Sequence, residues 1–458
     1  MPAPARPAEP APPPPAGSGG SGARRPRVVV VGGGFAGYHA ARSLLRRTRG
    51  RVEVVLINPT DYFLYLPLLP EVATGVVEPR RISVSLTGTL PGVRLVLGEV
   101  DEVDLGERRV GWTDPEGSRG QCTYDRLVLA VGSVNKLLPV PGIADHAHGF
   151  RGIPEALYLR DHITRQVEMA AMADDPDERR ARCTFVVVGA GYTGTEVAAQ
   201  GVLFTDVLAR QVGLPDGERP RWLLLDLAPR VLPELDERLS RTADEVLRRR
   251  GVEVRTEQSV EEACAGLVRL TTGEEVPTRT LAWCVGVRPD LLVTALGAET
   301  AQGRLLVGDD LEVPGCPGVF ACGDAAAVPD QTRPGEYTAM TAQHAVRQGR
   351  LAGRNVAASL GRGRAGRYRH HDLGWVVELG GRDAAANPLH VPLSGLPATA
   401  VTRGYHLLSM PGNRIRVAAD WLLDAAVGRQ TVQLGLVRSP AVPLDTTSPE
   451  TPVAAATR

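Results

Sequence analysis

The chain has 458 residues, and its 52 Lys and Arg balance 52 Asp and Glu to a formal net charge of zero. That length supports two or three domains with a large buried core, and the balance leaves no excess field for a nucleic acid or an acidic partner. Six scattered cysteines have neither Cys-x-x-Cys nor zinc-ligand spacing, which excludes a metal site written in the spacing and fits a reduced cytosolic chain. Lys136 is the single lysine, so most lysine-based mechanisms are set aside. No uncharged run reaches the roughly 18 apolar residues that a membrane-spanning helix needs.

Residues 1–26 are rich in Pro, Ala and Gly without a continuous apolar stretch, and read as a disordered arm rather than a secretory signal. The strand-like "RVVVVGG" then leads into a helix through Leu45. "VEVVLINP" reads as the next parallel strand, because Val and Leu run almost without polar interruption. Between them, in "VVVVGGGFAGYHAA", Gly32, Gly34 and Gly37 have the spacing that lets backbone approach a pyrophosphate at the positive end of a helix. The ribose position, about 20 residues past the last glycine, is Asn58, where an acid is usual. "YDRLVLAVGS" around Val128 is another buried strand ending in a glycine turn, so residues 27–150 form one nucleotide-binding unit.

The pattern repeats over residues 151–300. After the helical "PEALYLRDHITRQVEMAAMA", the strand in "FVVVGAGYTGTEVAAQ" meets a second turn with Gly189, Gly191 and Gly194. The following strand "RWLLLD" ends in Asp226, whose carboxylate accepts from ribose hydroxyls and repels a 2′-phosphate. That favours NADH over NADPH, with Arg221 and Arg230 near enough in sequence to weaken the preference. The helix "LDERLSRTADEVLRRRG" and the strand "RTLAWCVGV" complete the repeat. Residues 301–365 carry "GVFACGDAAAV", a short strand ending in Gly323 and Asp324, and then a helix from near Thr341. Residues 366–438 repeat neither unit, and residues 439–458 read as a disordered tail.

Two dinucleotide turns followed by a late "GVFACGD" resemble the two-dinucleotide-binding-domain flavoproteins, the pyridine nucleotide-disulfide oxidoreductase-like family, over roughly residues 27–360. The resemblance implies an α/β fold of two Rossmann-like domains, as in glutathione-reductase-like flavoproteins, plus a C-terminal membrane-association or dimerisation segment. It assigns FAD to the segments 27–150 and 301–365 and NADH to the middle insertion. On the FAD side it implies Gly32, Gly33, Gly34, Phe35, Ala36, Gly37, Asn58, Pro67, Val100, Ala130, Gly132, Gly323, Asp324, Gln343 and His344. On the NADH side it implies Gly189, Gly191, Tyr192, Thr193, Gly194, Glu196, Asp226 and Gly286. Two cofactors that exchange a hydride need no protein nucleophile.

No cysteine pair lies in "GFAGYHAARSLLRR" or after Asn58, so disulfide reduction is not expected, and Cys322 in "VFACGD" reads as a small buried residue. "DYFLYLPLLPEVATG" suits the lining of an apolar channel. Its core, with "GAGYTGTEVA" and "AQHAVRQ", is similar to type II NADH dehydrogenase, the non-proton-pumping NADH:quinone oxidoreductase. That likeness implies Glu196, Gln343 and Arg347 as catalytic residues, with Glu196 near the nicotinamide and Gln343 at the quinone end. Arg347 stands where the family pattern has a second glutamine, and Gln348 follows one place later. The implied partners are NADH and a membrane quinone, reached peripherally from the cytoplasmic face of the cell membrane. In "GNRIRVAADWLLDAAVGR", Ile415, Ala418, Trp421, Leu422 and Ala425 fall on one helical face, suited to a membrane interface or to packing in a core or homodimer. A reductase for a small electron-carrier protein and a low-turnover flavin redox sensor are the alternative functions.

Overall fold

Residues 28–30 have no solvent exposure, because their strand is the centre of a sheet covered on both faces. The computed structural model describes residues 24–215 and 217–444. In it the first parallel sheet has the order Val319–Ala321, Arg126–Leu129, Arg27–Val31, Glu53–Asn58, Val93–Leu97. Its register sets Val28 beside Val54 and Arg126. The strand Val319–Ala321 reaches this sheet from beyond the middle unit.

The middle unit builds a second parallel sheet in the order Val252–Thr256, Arg221–Asp226, Thr184–Val188, Thr280–Trp283. In each half a three-stranded antiparallel sheet precedes the strand that closes the unit. These are Glu99–Asp104, Arg109–Thr113 and Arg119–Thr123 in the first, and Val260–Cys264, Leu267–Leu270 and Glu275–Pro277 in the second. The repetition is therefore deeper than the glycine turns that announce it in sequence.

The helix Ala342–Ser359 lies across the helix Phe35–Thr48 at backbone contact. A Cβ at Gly349 would meet the Ala36 carbonyl oxygen at 2.1 Å, and one at Gly353 would meet that of Ala40 at 2.3 Å. Only glycine fits at both places. This contact joins segments about three hundred residues apart and brings the N-terminus of the later helix beside the first glycine turn.

Residues 366–438 add the short antiparallel strands Val376–Glu378, Ala384–Ala386 and Leu393–Ser394 and the helices Gly395–Ser409 and Arg414–Val427. The single apolar face expected for the last helix is not what packs. Val417, Asp420 and Trp421 turn inward, while Ile415, Leu422 and Leu423 are exposed. The reason is electrostatic: the Asp420 carboxylate accepts from Arg81 Nε at 3.1 Å and from the Glu78 N–H at 3.1 Å. Among the described residues no helix is long and apolar enough to cross a membrane. The tail expected to be disordered from residue 439 begins as packed chain: Ser439–Ala441 form a short 3-10 turn, and Leu444 is buried against Val186, Leu223 and Leu225. The rest of that tail, and nearly all of the N-terminal arm, lie outside the described residues.

The helix contact yields a direct test. Gly349→Val should destabilise the chain by about 3 kcal/mol or more, since a backbone carbonyl cannot move aside. The flavin content of the purified protein should fall with it. A wild-type urea midpoint and full flavin content would show that the two helices can separate without cost.

Candidate active site

The two glycine turns are near copies. Gly32 has φ +94° and Gly189 φ +102°, values that L side chains rarely adopt. A Cβ at Gly37 would lie 1.8 Å from the Gly32 carbonyl oxygen, and one at Gly194 equally 1.8 Å from that of Gly189. Gly34 and Gly191 cap the helices Phe35–Thr48 and Tyr192–Val212, and neither cap supplies a side chain to the first helical N–H groups. Each turn therefore offers unscreened backbone donors at a positive helix end.

Each turn is also clasped from the end of the neighbouring strand. The Asn58 Oδ1 accepts from the Gly33 N–H at 2.6 Å, while its Nδ2 donates to the Thr60 carbonyl at 2.9 Å. At the equivalent place, the Asp226 carboxylate accepts from the Ala190 N–H at 2.5 Å and the Ala228 N–H at 2.7 Å. Arg221 does not lean on this carboxylate. It stands at the other end of the strand and pairs with Glu253 through two hydrogen bonds, of 2.5 and 2.9 Å. Arg230 donates to the Pro233 carbonyl.

A cleft of about 520 Å³ runs between the two units. Gly32, Gly33, Gly34, Phe35, Ala36, Asn58, Pro67, Val100, Ala130, Gly132, Gly323, Asp324 and Gln343 line it from the first unit and the helix start. Tyr192, Thr193, Glu196 and Gly286 line it from the second. Gly37, Gly189, Gly191, Gly194, Asp226, His344 and Arg347 are not part of its wall. Leu64, Leu66, Leu69 and Pro70 supply an apolar side, and behind it the Tyr65 hydroxyl lies 3.2 Å from His406 Nδ1 of the helix Gly395–Ser409. Ser133, Trp283 and Trp375 also face the cleft and were not singled out from sequence. Ser133 Oγ donates to Asp324 Oδ2 at 2.6 Å, and Trp375 stacks on Tyr192 with ring centres 5.6 Å apart.

The register question in "AQHAVRQ" resolves by packing. Gln343 donates to the Gly374 carbonyl at 2.9 Å and keeps its place on the cleft wall. Arg347 turns away, its Nη1 2.9 Å from His370 Nδ1. His344 lies between, stacked on His370 at 4.1 Å and 2.7 Å from the Tyr368 hydroxyl. Gln348 is buried, accepts from the Gly323 N–H at 2.8 Å and donates to Thr338 Oγ1 at 3.0 Å. It fixes the turn that presents Asp324. Cys284 and Cys322 reach the cleft, but burial pushes both thiols up to about 12, so neither is a thiolate nucleophile near neutral pH.

Glu196, partly exposed on the cleft wall, sits beside two buried acids, Glu378 and Glu71, that sequence does not single out. Its carboxyl accepts from the Glu378 N–H at 3.0 Å. Glu378 and Glu71 are each 2% exposed. Glu71 accepts from the Trp421 indole N–H at 2.6 Å, and Arg403 lies 3.8 Å from Glu378 and 5.0 Å over the Trp421 ring. Burial raises the pKa of Glu196 to about 8, opposed by the Glu378 N–H and aided by the charge of Glu71. Glu71 rises to about 7, again from burial, with the Trp421 N–H and Arg403 opposing. Glu378 is raised by burial and by Glu71. Of the three only Glu196 lines the cleft, and burial pushes all three toward their protonated forms.

These features match known proteins. The sequence profile of the pyridine nucleotide-disulphide oxidoreductase family covers residues 26–349. The type II NADH:quinone oxidoreductase Ndh of Mycobacterium tuberculosis is 31% identical over 410 residues, 86% of each chain. The chain belongs to this family, in its type II NADH:quinone oxidoreductase branch. Another relative, demethylphylloquinone reductase NdbB of Synechocystis, is 29% identical over 87% of this chain and 96% of its own. The structure of NDH2 from Plasmodium falciparum in complex with NADH, only 16% identical, has the same fold, with a TM-score of 0.81 over 89% of this chain and 100% of that one.

For a flavoprotein of this family the cleft must admit FAD, and its residues fit. Gly34 and Gly132 face open space that any larger side chain would fill, and the first turn leaves a helix start free for a pyrophosphate. Asp324, steadied by Ser133, presents a carboxylate for a hydroxyl-bearing chain.

The raised carboxyl gives a signed pH prediction. A group whose folded pKa exceeds its unfolded value holds its proton more firmly in the fold. Its stabilisation is complete below about 4.5 and is lost as pH rises toward about 8. Buried histidines such as His406, pushed down to about 4 by burial, act in the opposite sense, so the comparison must be with a variant. The stability of wild type relative to Glu196→Gln, from denaturant midpoints, should fall steadily across that window. A pH-independent difference would remove Glu196 as the source.

Proposed function

We propose that this chain takes a hydride from NADH and reduces a membrane quinone through FAD, working as a peripheral protein on the cytoplasmic face of the membrane. One observation carries the reading: both units, the apolar Leu64, Leu66, Pro67, Leu69 and Pro70, and the start of the helix Ala342–Ser359 all open into a single cleft. FAD, when bound there, supplies the hydride-accepting and electron-passing chemistry.

The chain's own residues do the rest. The N–H groups behind Gly34 and Gly191 hold phosphates, and Asn58 and Asp226 keep the two turns in shape. The Asp226 carboxylate, held beside the second turn by the Ala190 and Ala228 N–H groups, disfavours a 2′-phosphate and selects NADH. Leu64, Leu66 and Trp283 exclude water from the reacting faces. Reduction of a quinone by NADH consumes one proton beyond the hydride, and Glu196 holds a proton at its carboxyl on the cleft wall. Gln343 stands across the cleft as a polar contact for a quinone oxygen. Exposed Leu396, Leu408, Ile415, Leu422 and Val427 on the C-terminal helices form the membrane-facing surface.

Stopped-flow mixing with NADH should bleach a bound flavin, and a short-chain quinone should restore it. Turnover with NADH should exceed that with NADPH. A flavin bleached by NADH but not reoxidised by quinones would overturn the quinone assignment. Glu196→Gln should slow flavin reduction or quinone turnover by on the order of a hundredfold while FAD stays bound. Wild-type rates in both steps would remove Glu196 from the mechanism.

A further inference from the structure

Outside the cleft, a second recess of about 670 Å³ lies where the helix Phe35–Thr48, the helix Ala342–Ser359 and the turn between the two C-terminal helices meet. Five guanidinium groups surround it, those of Arg42, Arg46, Arg47, Arg350 and Arg414, and among the described residues no acidic side chain lines it. Among the described residues none of the five enters an ion pair. This sets them apart from Arg27, Arg221 and Arg250, which pair with Glu53, Glu253 and Asp383. The charges acting on Arg350 are those of Arg42, Arg347 and Arg46, all repulsive. In a chain of zero net charge this is a local concentration of cations without counter-charge.

The arrangement is built as well as charged. Arg414 is held by donating to the Met410 carbonyl at 2.9 Å and to that of Leu408 at 3.0 Å. Arg47 Nε lies 3.4 Å from Ser43 Oγ. His39, 5% exposed in the recess wall, is kept neutral by burial and by Arg350, Arg42 and Arg46, so it adds no charge of its own. Apolar groups adjoin the cations directly: Leu408 is 76% exposed and lines the recess, and Ile415, next to Arg414, is 86% exposed. Cationic forks beside protruding aliphatic side chains match a ligand with an anionic phosphate and a hydrocarbon tail.

We propose that this recess binds the phosphate of an anionic phospholipid, with Leu408 and Ile415 entering the acyl boundary beside it. The proposal rests on the reading of the chain as an enzyme that meets its quinone at a membrane. It makes docking selective for lipid charge as well as for apolar surface, and therefore sensitive to salt, since exposed charges are screened beyond about 8 Å at physiological ionic strength.

The test is co-flotation of the full, flavin-loaded chain with vesicles of phosphatidylcholine, alone or with phosphatidylglycerol added. Wild type should bind the mixed vesicles on the order of a hundredfold more tightly. Each arginine at an anionic surface contributes about fivefold, so Arg42→Ala with Arg350→Ala should remove about twenty-fivefold of that preference. Leu408→Ser with Ile415→Ser should weaken binding to both kinds of vesicle. Unaltered flavin reduction by NADH without vesicles checks that the variants are folded. Equal binding to the two vesicle types, or undiminished selection by the arginine variant, overturns the proposal. So does heat protection by inorganic phosphate without vesicle selection, or a dimer in solution that the arginine changes dissociate. Turnover with a water-soluble quinone but no lipid selection overturns the lipid site alone. Absence of that turnover counts against the oxidoreductase reading instead.

Discussion

The backbone contact between the helices Phe35–Thr48 and Ala342–Ser359 is the constraint on which the cleft depends. Gly349 and Gly353 let the helices approach until a Cβ at either position would lie within 2.3 Å of a carbonyl oxygen. The helix that carries Gln343 is thereby seated against the helix that begins at the first glycine turn. Gln348, on the same later helix, ties down the Gly323 N–H and so sets the position of Asp324. One tight crossing thus aligns the first glycine turn, Asp324 and Gln343 on a single cleft.

The second unit repeats the first in its turn, its clasp and its antiparallel insert, but it differs in what lies behind the glycine helix. Glu196 projects from the helix Tyr192–Val212 toward Glu378 and, through it, toward Glu71 and the C-terminal helices. Both carboxylate oxygens of Glu378 are buried without a hydrogen-bond partner among the described residues. Such a group is costly as an anion and favours its neutral form. Three distant parts of the chain thus bring together acids that burial pushes toward their neutral forms, and of the three Glu196 lines the cleft.

Sequence was informative where chemistry demands a particular residue at a particular backbone conformation. Gly32, Gly37, Gly189 and Gly194 are legible because no other residue tolerates those φ angles or contacts, and their spacing reveals two nucleotide units. The position of the Arg347 side chain was not legible: the motif shift by one residue left two candidates, and only packing against His370 and Gly323 separates Arg347 from Gln348. Glu71 lay inside a quoted motif without standing out, because its burial comes from Trp421 far along the chain. Glu378 did leave a trace, an acid inside the apolar run "WVVELGG". The C-terminal helix misled because periodicity takes aspartates to face water, and Asp420 instead meets Arg81.

Asp420 and Trp421 hold two consecutive positions of the helix Arg414–Val427 to the body, one through Arg81 and the other through Glu71. A helix pinned twice on one side cannot roll about its own axis. Whatever surface its outward Ile415 and Leu422 adhere to, the whole molecule meets that surface in a single pose, and the mouth of the cleft inherits a fixed bearing from it.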